Sequence, residues 1–449
     1  MNGLLVHGAA EIVTMAGGLR RGAAQDDPAV VVAGRTGDGS ARGGWARDHP
    51  AREPVVACWG DRIVAVGPRS DVERDLEAAG LPLDRFARLD AHGGTVTPGL
   101  VDAHTHLLFA GSRAAEFRLR QRGAGYLEIL AAGGGILSTV AATRAASDEQ
   151  LAAHGRRWLD EMLGHGVTTV EAKSGYGLDA RTELRLLAIA DALGRAGPVD
   201  VVSTFLGAHA VPAEHRGRRD GTDEYVRSVI EEQLPAVAAQ GVARFCDVFC
   251  ERGVFTADQS RRVLEAGARL GLLPRLHADE LAPSGGAELA AEVGAMSADH
   301  LSAPSEAGID ALAAVAEAGR PVVATLLPAT TWFLMSGHHA PARALIERAV
   351  PVAIATDFNP GTSPTASLPL AMTNACLSLG LTPSEALTAV TINAAHALRL
   401  GDEIGSVEVG KAADLVVWRT GSHEEIPLWP GAGLVRTVVK RGRVVLERD

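Results

Sequence analysis

The sequence predicts an α/β protein, a (β/α)8 barrel of the TIM type that carries a small β-sandwich domain built from both ends of the chain. The length of 449 residues allows one large domain and a smaller one. In the central region, short apolar runs alternate with helical stretches rich in Ala, Leu, Arg and Glu, which is the pattern of repeated βα units. Both ends hold short β-like runs instead. We expect the barrel over residues 98–404 and the sandwich domain over residues 1–97 and 405–449.

Eight apolar runs in the central region predict the eight barrel strands. Each run ends in polar residues and is followed by a helical stretch, as a βα repeat requires. A doubly wound open sheet is the structural alternative, but no GxGxxG motif follows any of the runs. The predicted strands are Leu100–Ala103, Val167–Ala172, Val201–Gly207, Arg244–Cys250, Leu273–Ala278, Ala295–His300, Pro321–Leu327 and Val352–Thr356.

The chain ends contain β-like runs separated by clusters of Gly, Asp and Arg. We expect the two ends to share one sheet, and the Lys-Arg-Gly-Arg turn within the last run predicts a hairpin. The stretch Gly34–Glu53 is rich in Gly, Arg and Asp without periodicity, which predicts an exposed loop. The β-like runs are Leu4–Val6, Val30–Val32, Arg62–Val66, Gly94–Thr97, Asp414–Trp418 and Thr437–Leu446.

Composition favours a small-molecule substrate over a macromolecular partner. With 43 basic and 54 acidic residues, the formal net charge is −11, which argues against a nucleic-acid-binding surface. Four cysteines lack the spacing of a disulfide framework or of a paired CxxC zinc site, which fits a reducing cytoplasm. No apolar run reaches the roughly 18 residues that span a bilayer, and no basic segment precedes the first apolar residues. We therefore expect no contact with nucleic acid or membrane.

Polar residues at the ends of the predicted strands indicate a metal site, because the active sites of such barrels lie on the loops that follow the strands. His104 and His106 stand two residues apart at the end of the first strand, so both rings face the same side. With His277 after the fifth strand and Asp357 after the eighth, three nitrogens and one oxygen form a ligand set suited to zinc or ferrous iron. The alternative is that each histidine only caps a strand by hydrogen bonding.

The segment TPGLVDAHTH, with His277 and Asp357, resembles the amidohydrolase superfamily of metal-dependent hydrolases. Seven further segments resemble one branch of it, which opens the ring of imidazolone-5-propionate to N-formimidoyl-L-glutamate in histidine degradation: HTHLLFAGSR, EAKSGYGLD, FLGAHAVP, DVFCERGVF, LHADEL, SADHL and ATDFNPGTSP. The resemblance implies one divalent metal ion, Zn²⁺ or Fe²⁺/Fe³⁺, and a homodimer. The ligands that it implies are His104, His106, His277 and Asp357.

A single ion is expected because the fourth strand ends in Cys250-Glu251, where binuclear relatives carry a carboxylated lysine. Lys173 follows the second strand, and an ion pair with a neighbour such as Glu171 is the favoured interpretation over a ligand role.

The resemblance also implies which residues bind the substrate. Arg113 is expected to pair with the propionate, because a buried carboxylate needs a charged hydrogen-bond partner. Taken alone, Arg113 would be read as a surface residue and Tyr176 as a core residue. The full substrate-binding set that the motifs imply is Arg113, Tyr176, His209, Glu280, Asn359, Gly361 and Thr362.

Glu280 is the first choice for proton transfer because it lies three residues beyond His277. The alternative is that Glu280 begins the next helix and favours its positive end. His300 can polarise the scissile carbonyl or orient water, and Asp357 can accept a proton, so the division of roles stays open.

The implied reaction is the hydrolysis of a cyclic amide by attack of metal-bound hydroxide on the ring carbonyl. A deaminase of the same superfamily acting on a purine or pyrimidine, and a non-catalytic binding protein on the same scaffold, remain as rival functions.

Overall fold

The computed structural model describes residues 3–32, 50–123 and 134–449. Most of the predicted loop Gly34–Glu53 therefore lies outside the described residues. The strands at the chain ends are β1 (Gly3–His7), β2 (Glu11–Val13), β3 (Val30–Val32), β4 (Pro54–Trp59), β5 (Arg62–Pro68), β6 (Phe86–Asp90), β7 (Thr95–Pro98), β17 (Leu415–Trp418), β18 (Val435–Lys440) and β19 (Arg443–Glu447).

A parallel sheet forms the barrel, which confirms the predicted fold class. Neighbouring strands pair in the order Leu100–Asp102, Val167–Lys173, Asp200–Ala208, Phe245–Cys250, Leu276–Ala278, Ser297–His300, Val323–Leu326 and Val352–Ile354. The fifth predicted strand is in two pieces, Leu273–Pro274 and Leu276–Ala278. The barrel strands are β8 (Leu100–Asp102), β9 (Val167–Lys173), β10 (Asp200–Ala208), β11 (Phe245–Cys250), β12 (Leu273–Pro274), β13 (Leu276–Ala278), β14 (Ser297–His300), β15 (Val323–Leu326) and β16 (Val352–Ile354).

The residues that follow β8 and β16 bring the first and last barrel strands together. The amide of His106 donates to the carbonyl of Phe358 at 2.8 Å, and the amide of Asp357 donates to the carbonyl of His104 at 3.0 Å. Because these bonds lie just beyond the strands, they place His104 and His106 directly beside Asp357 at the carboxyl end of the barrel.

Helices cover the outside of the barrel, and side chains at their first residues fix where several of them begin. Ser147 and Gln150 form a capping box before the helix Asp148–Gly164, and Thr256 and Gln259 form one before the helix Ala257–Arg269. The helices are α1 (Arg69–Ala78), α2 (Ala114–Gln121), α3 (Ile136–Ala145), α4 (Asp148–Gly164), α5 (Ala180–Ala196), α6 (Gly221–Ser228), α7 (Leu234–Gln240), α8 (Ala257–Arg269), α9 (Gly286–Val293), α10 (Glu306–Glu317), α11 (Pro328–Phe333), α12 (Ala342–Glu347), α13 (Leu368–Asn374), α14 (Pro383–Ala389) and α15 (Ile392–Ala397).

The strands from the two chain ends form two sheets, in the orders β5-β4-β1-β6 and β19-β18-β17-β7-β2-β3. Strand β17 pairs with β7 in antiparallel orientation, so both ends share one sheet as predicted, and β18 pairs with β19 as the predicted hairpin. A core of apolar side chains that includes Ile12, Val56, Val96 and Val417 joins the two sheets.

Three strands at the amino end were not predicted. Strand β2 has only three residues, β4 begins with a proline directly after a polar stretch, and β6 contains an arginine and an aspartate. Strands β2 and β6 show neither an alternation of apolar and polar residues nor an apolar run of four residues, whereas β4 contains the apolar run Val55–Cys58, which is not among the predicted strands. The residue limits that the sequence assigns to the two domains stay a prediction. In the described part of the chain, no helix is both long and apolar enough to cross a bilayer.

Candidate active site

Four predicted ligands meet at the carboxyl end of the barrel. One ring nitrogen from each of His104, His106 and His277 lies within 4.8 Å of the others. The Oδ1 atom of Asp357 lies 3.5 Å from Nε2 of His104 and 3.6 Å from Nε2 of His106. All four side chains are buried. The structure thus brings together the set that the sequence singles out, from the ends of three strands that are distant in the chain.

The donor atoms of this cluster fit a divalent ion. The Nε2 atoms of His104 and His277 are buried and have no hydrogen-bond partner within the described residues. Burial holds the pKa of His104 well below its usual value, so the ring is in the neutral form that binds metal. The other ring nitrogens are occupied, since Nδ1 of His104 lies 2.7 Å from Asp299 and Nδ1 of His277 lies 3.1 Å from Asp247. A neutral ring that donates through Nδ1 presents its Nε2 lone pair to the cluster.

A buried network of charges lies beneath the cluster. The Nζ atom of Lys173 lies 2.8 Å from Glu171, 2.6 Å from Asp247 and 3.3 Å from Asp299. The ion pair expected between Lys173 and Glu171 is therefore present. Arg275 lies 3.2 Å from Asp299 and donates to two backbone carbonyls.

Sequence reasoning missed Asp247, Asp299 and Arg275 as parts of the site. Asp247 stands in the otherwise apolar run Phe245–Cys250, and Arg275 and Asp299 lie within the strand segments Leu273–Ala278 and Ser297–His300. A charged residue inside a strand that is covered on both faces needs a partner, and this was the available signal.

Glu280 and His300 form a polar pair next to the ligands. The carboxylate of Glu280 lies 3.5 Å from Nε2 of His300. Burial raises the pKa of Glu280 to about 8, and the carboxylate of Asp357 adds to the effect. Burial also holds the pKa of His300 well below its usual value. Helix α9 begins at Gly286, so the alternative that Glu280 starts this helix is wrong.

The backbone is left-handed at two of these residues. The φ angles are +74° at His300 and +51° at Asp357, which is uncommon for residues other than glycine. Such conformations persist where the surrounding structure holds them, and they concentrate at functional sites.

Arg113 lies at the start of α2, where Glu116 fixes its guanidinium. Its Nε donates to Glu116 at 2.8 Å and its Nη2 at 2.5 Å. The Nη1 atom lies against Gly361, so closely that a Cβ atom at position 361 would overlap it. The guanidinium therefore occupies space that exists only because residue 361 is glycine.

Asn359 organises the loop that follows β16. Its Oδ1 accepts from the amides of Gly361 at 2.8 Å and Thr362 at 2.7 Å, and its Nδ2 donates to the carbonyl of Asp357 at 2.7 Å. The side chain thus ties the loop to the ligand Asp357. Direct contact of Asn359, Gly361 and Thr362 with a substrate stays a prediction.

His209 and Tyr176 lie beside the predicted ligand His106. The His209 ring stacks on His106 with centroids 4.8 Å apart, and the Tyr176 ring lies 5.4 Å from His209. The Nδ1 of His209 lies 3.0 Å from the carbonyl of Gly175. Burial lowers the pKa of His209 to about 3, so the ring is neutral, donates through Nδ1 and keeps Nε2 as an acceptor.

Comparison with solved structures shows the same fold in other hydrolases. An adenosine deaminase from Xanthomonas campestris with bound zinc matches with a TM-score of 0.66 and 20% identity over 99% of this chain and 93% of that chain. A triazine hydrolase variant matches with a TM-score of 0.70 and 17% identity over 100% of this chain and 95% of that chain. The sequence profile of the amidohydrolase family matches residues 95–445. This chain belongs to the amidohydrolase family.

Closer relatives place the chain within that family. The imidazolonepropionase of Geobacillus kaustophilus is 54% identical over 86% of this chain and 88% of its own length. The imidazolonepropionase of Symbiobacterium thermophilum is 50% identical over 99% of this chain and 97% of its own length. The resemblance noted in the motifs is confirmed, and it extends to the imidazolonepropionases.

Proposed function

We propose that this enzyme hydrolyses the cyclic amide of imidazolone-5-propionate to N-formimidoyl-L-glutamate. The observation that carries the proposal is the cluster of His104, His106 and His277, whose ligand nitrogens lie within 4.8 Å of one another, in a chain 54% identical to an imidazolonepropionase. The deaminase rival shares the fold at 20% identity, which supports no substrate assignment.

We assign His104, His106, His277 and Asp357 to a single divalent ion, Zn²⁺ or iron. A bound divalent ion lowers the pKa of its water toward about 7 and so supplies a nucleophile near neutral pH. Histidine binds metal in its neutral form, so with the ion bound the three imidazoles and one carboxylate would carry a single negative charge, which suits a divalent cation in a buried site.

Glu280 is our choice for the proton-transfer residue. A pKa of about 8 lets its carboxyl group change protonation state close to neutral pH, which is the requirement for general acid–base work. It accepts a proton from the attacking water and returns it to the ring nitrogen that leaves when the C–N bond breaks. We assign His300 to donating a hydrogen bond to the ring carbonyl, because its ring lies 3.5 Å from Glu280 and burial keeps it neutral.

Substrate recognition falls to the residues around the cluster. Arg113 offers its guanidinium to the propionate, and its pairing with Glu116 holds the group in one orientation. Tyr176 and His209 supply the wall against which the flat ring lies. The loop from Asn359 to Thr362 borders the guanidinium through Gly361.

The test is metal analysis combined with an ultraviolet assay of imidazolone-5-propionate loss. We expect one zinc or iron ion per chain and hydrolysis of this substrate, with neither in the His104→Ala variant. Metal-independent turnover, or deamination of a purine or pyrimidine instead, would refute the proposal. The resemblance also supports a homodimer in the cytoplasm, which sedimentation of the purified enzyme and cell fractionation would test.

A further inference from the structure

The strongest unassigned feature is Lys173, whose side chain is fully buried inside the barrel. An ammonium group has three N–H donors and no acceptor, and burying it is unfavourable unless each donor is satisfied. Here three carboxylates surround it, from Glu171, Asp247 and Asp299. Only Glu171 is a neighbour on the same strand, so the other two contacts join three separate barrel strands.

The two distant carboxylates are the same groups that hold two predicted metal ligands. Asp247 contacts Lys173 through Oδ2 and His277 through Oδ1. Asp299 contacts both Lys173 and His104 through Oδ2. One ammonium group therefore contacts both carboxylates that hold the His104 and His277 imidazoles.

We propose that Lys173 is a positioning residue, which fixes the Asp247 and Asp299 carboxylates so that His277 and His104 keep Nδ1 protonated and direct Nε2 to the metal. This inference rests on the proposed metal site. Carboxylates behind metal-binding histidines set the tautomer and the ring orientation, and their loss lowers metal affinity by about 10-fold to 100-fold.

The Asp299 and Asp247 carboxylates differ in how many hydrogen-bond partners hold them. Asp299 also accepts from Arg275 at 3.2 Å and from Ser297. Within the described residues, the hydrogen-bond partners of the Asp247 side chain are Lys173 and His277. Loss of the ammonium group should therefore disturb His277 more than His104.

If Lys173 acted on the metal only through its charge, its removal would strengthen metal binding and not weaken it. A positive charge near a bound cation repels it, so removing the charge of Lys173 without moving any ligand would tighten metal binding. Weaker binding in a Lys173 variant would therefore report lost positioning and not lost charge.

The experiment measures Co²⁺ binding to metal-free protein by chelator competition, together with the visible absorption of the Co²⁺ form. We expect Lys173→Met and Asp247→Asn each to weaken Co²⁺ binding by about 10-fold to 100-fold and to change the absorption bands. Because both act through His277, the double variant should lose much less than the product of the single losses. If Lys173→Met does not fold, Lys173→Gln, which keeps two N–H donors, takes its place.

Lys440 provides the matched control. It is also a buried lysine between two carboxylates, at 2.6 Å from Asp414 and 2.8 Å from Asp200, but it lies on β18 and contacts β10 only at Asp200, the first residue of that barrel strand. We expect Lys440→Met to lower the melting temperature and to leave Co²⁺ affinity and absorption unchanged. If Lys173 only stabilised the fold, Lys173→Met would likewise lower the melting temperature and leave Co²⁺ affinity and absorption unchanged.

Three outcomes would overturn the inference. Unchanged or tighter Co²⁺ binding in the Lys173 variant would show that it does not position the ligands. Losses that multiply in the double variant would show that Lys173 does not act through Asp247. If His104→Ala keeps wild-type Co²⁺ affinity, the proposed metal site itself is wrong, and that failure is recognised separately from the other two.

Discussion

The carboxyl end of the barrel and the interior of the β-sandwich are both fully buried, yet they contain opposite kinds of side chain. The barrel end buries His104, Lys173 and Asp247, whereas the sandwich core buries Ile12 and Val417. Apolar burial stabilises a fold by about 25 cal/mol per Å², whereas buried charges at best offset their own desolvation. The sandwich interior thus contributes stability, and the barrel end holds the polar groups to which we assign the proposed function. Substitutions should separate these two contributions.

The largest effect on activity should come from removing a predicted ligand. We expect His104→Ala to abolish metal binding and most turnover, because the variant loses one of the four predicted ligands and alanine offers no atom that can replace it. The variant should stay folded, since the barrel core packs independently of the strand ends. Metal analysis, activity and circular dichroism check this expectation, and full metal occupancy in the variant would contradict the ligand assignment.

Glu280→Gln should have the next largest effect. The amide keeps the shape of the side chain but cannot accept a proton, so kcat should fall by roughly 10²–10⁴ with the metal retained. Wild-type turnover in this variant would exclude proton transfer by Glu280.

The dependence of kcat/KM on pH tests the role of Glu280 in a second way. A base must be ionised to act, so wild-type kcat/KM should fall as the pH drops through the pKa of Glu280. That pKa is about 8 from burial, and a bound cation lowers it because positive charge favours the carboxylate. The acid limb should therefore have its midpoint at or below about pH 8 and should be missing in the Gln variant.

Arg113→Met tests the substrate side of the site. Loss of the charged partner of a buried carboxylate should weaken transition-state binding by about 2–5 kcal/mol, while metal content stays unchanged. Arg113→Lys should restore only part of it, because an ammonium group cannot form the two-pronged planar contact. If kcat/KM of the Met variant on imidazolone-5-propionate stays within about twofold of wild type, the pairing with the propionate is excluded.

The sequence predicted those parts of the molecule whose pattern is local. The HxH pair at residues 104–106 was recognisable because strand alternation alone puts both rings on one side. Five of the six β-like runs at the chain ends correspond to single strands, and the sixth to the hairpin β18–β19. Each of these signals lies within one short segment.

Features that depend on contacts between distant segments could not be predicted. Asp247 and Asp299 lie 30 and 195 residues from the histidines that they hold. The short strand β2 is buried by its neighbours in the sheet and not by any pattern of its own. The role of Gly361 depends on a guanidinium more than 240 residues earlier in the chain. Spacing along the sequence carries no information about such pairs.

Gly361→Ala tests that last contact. A Cβ atom would overlap Nη1 of Arg113, so the guanidinium must move away from its place beside the loop. We expect KM to rise, but by less than in Arg113→Met, because the end of a flexible side chain can shift and still keep its charge near the loop. Metal content should not change, because the ligands lie elsewhere. An unchanged KM would mean that the position of the Arg113 guanidinium is not needed for binding.

The smallest effect on activity should come from the sandwich core, where Ile12→Val removes one buried methylene group. The Ile12 side chain is fully buried among Val56, Val96 and Val417. Its shortening should lower the free energy of unfolding by about 0.5–1.5 kcal/mol, because apolar contact is lost and a small cavity remains. Metal content, kcat and KM should equal those of wild type, since the barrel end contains none of these side chains. Thermal unfolding measured beside steady-state kinetics checks both halves of the expectation. A change in kcat or in metal content, without a larger loss of stability than this, would show that the sandwich shapes the active site and does more than stabilise the fold.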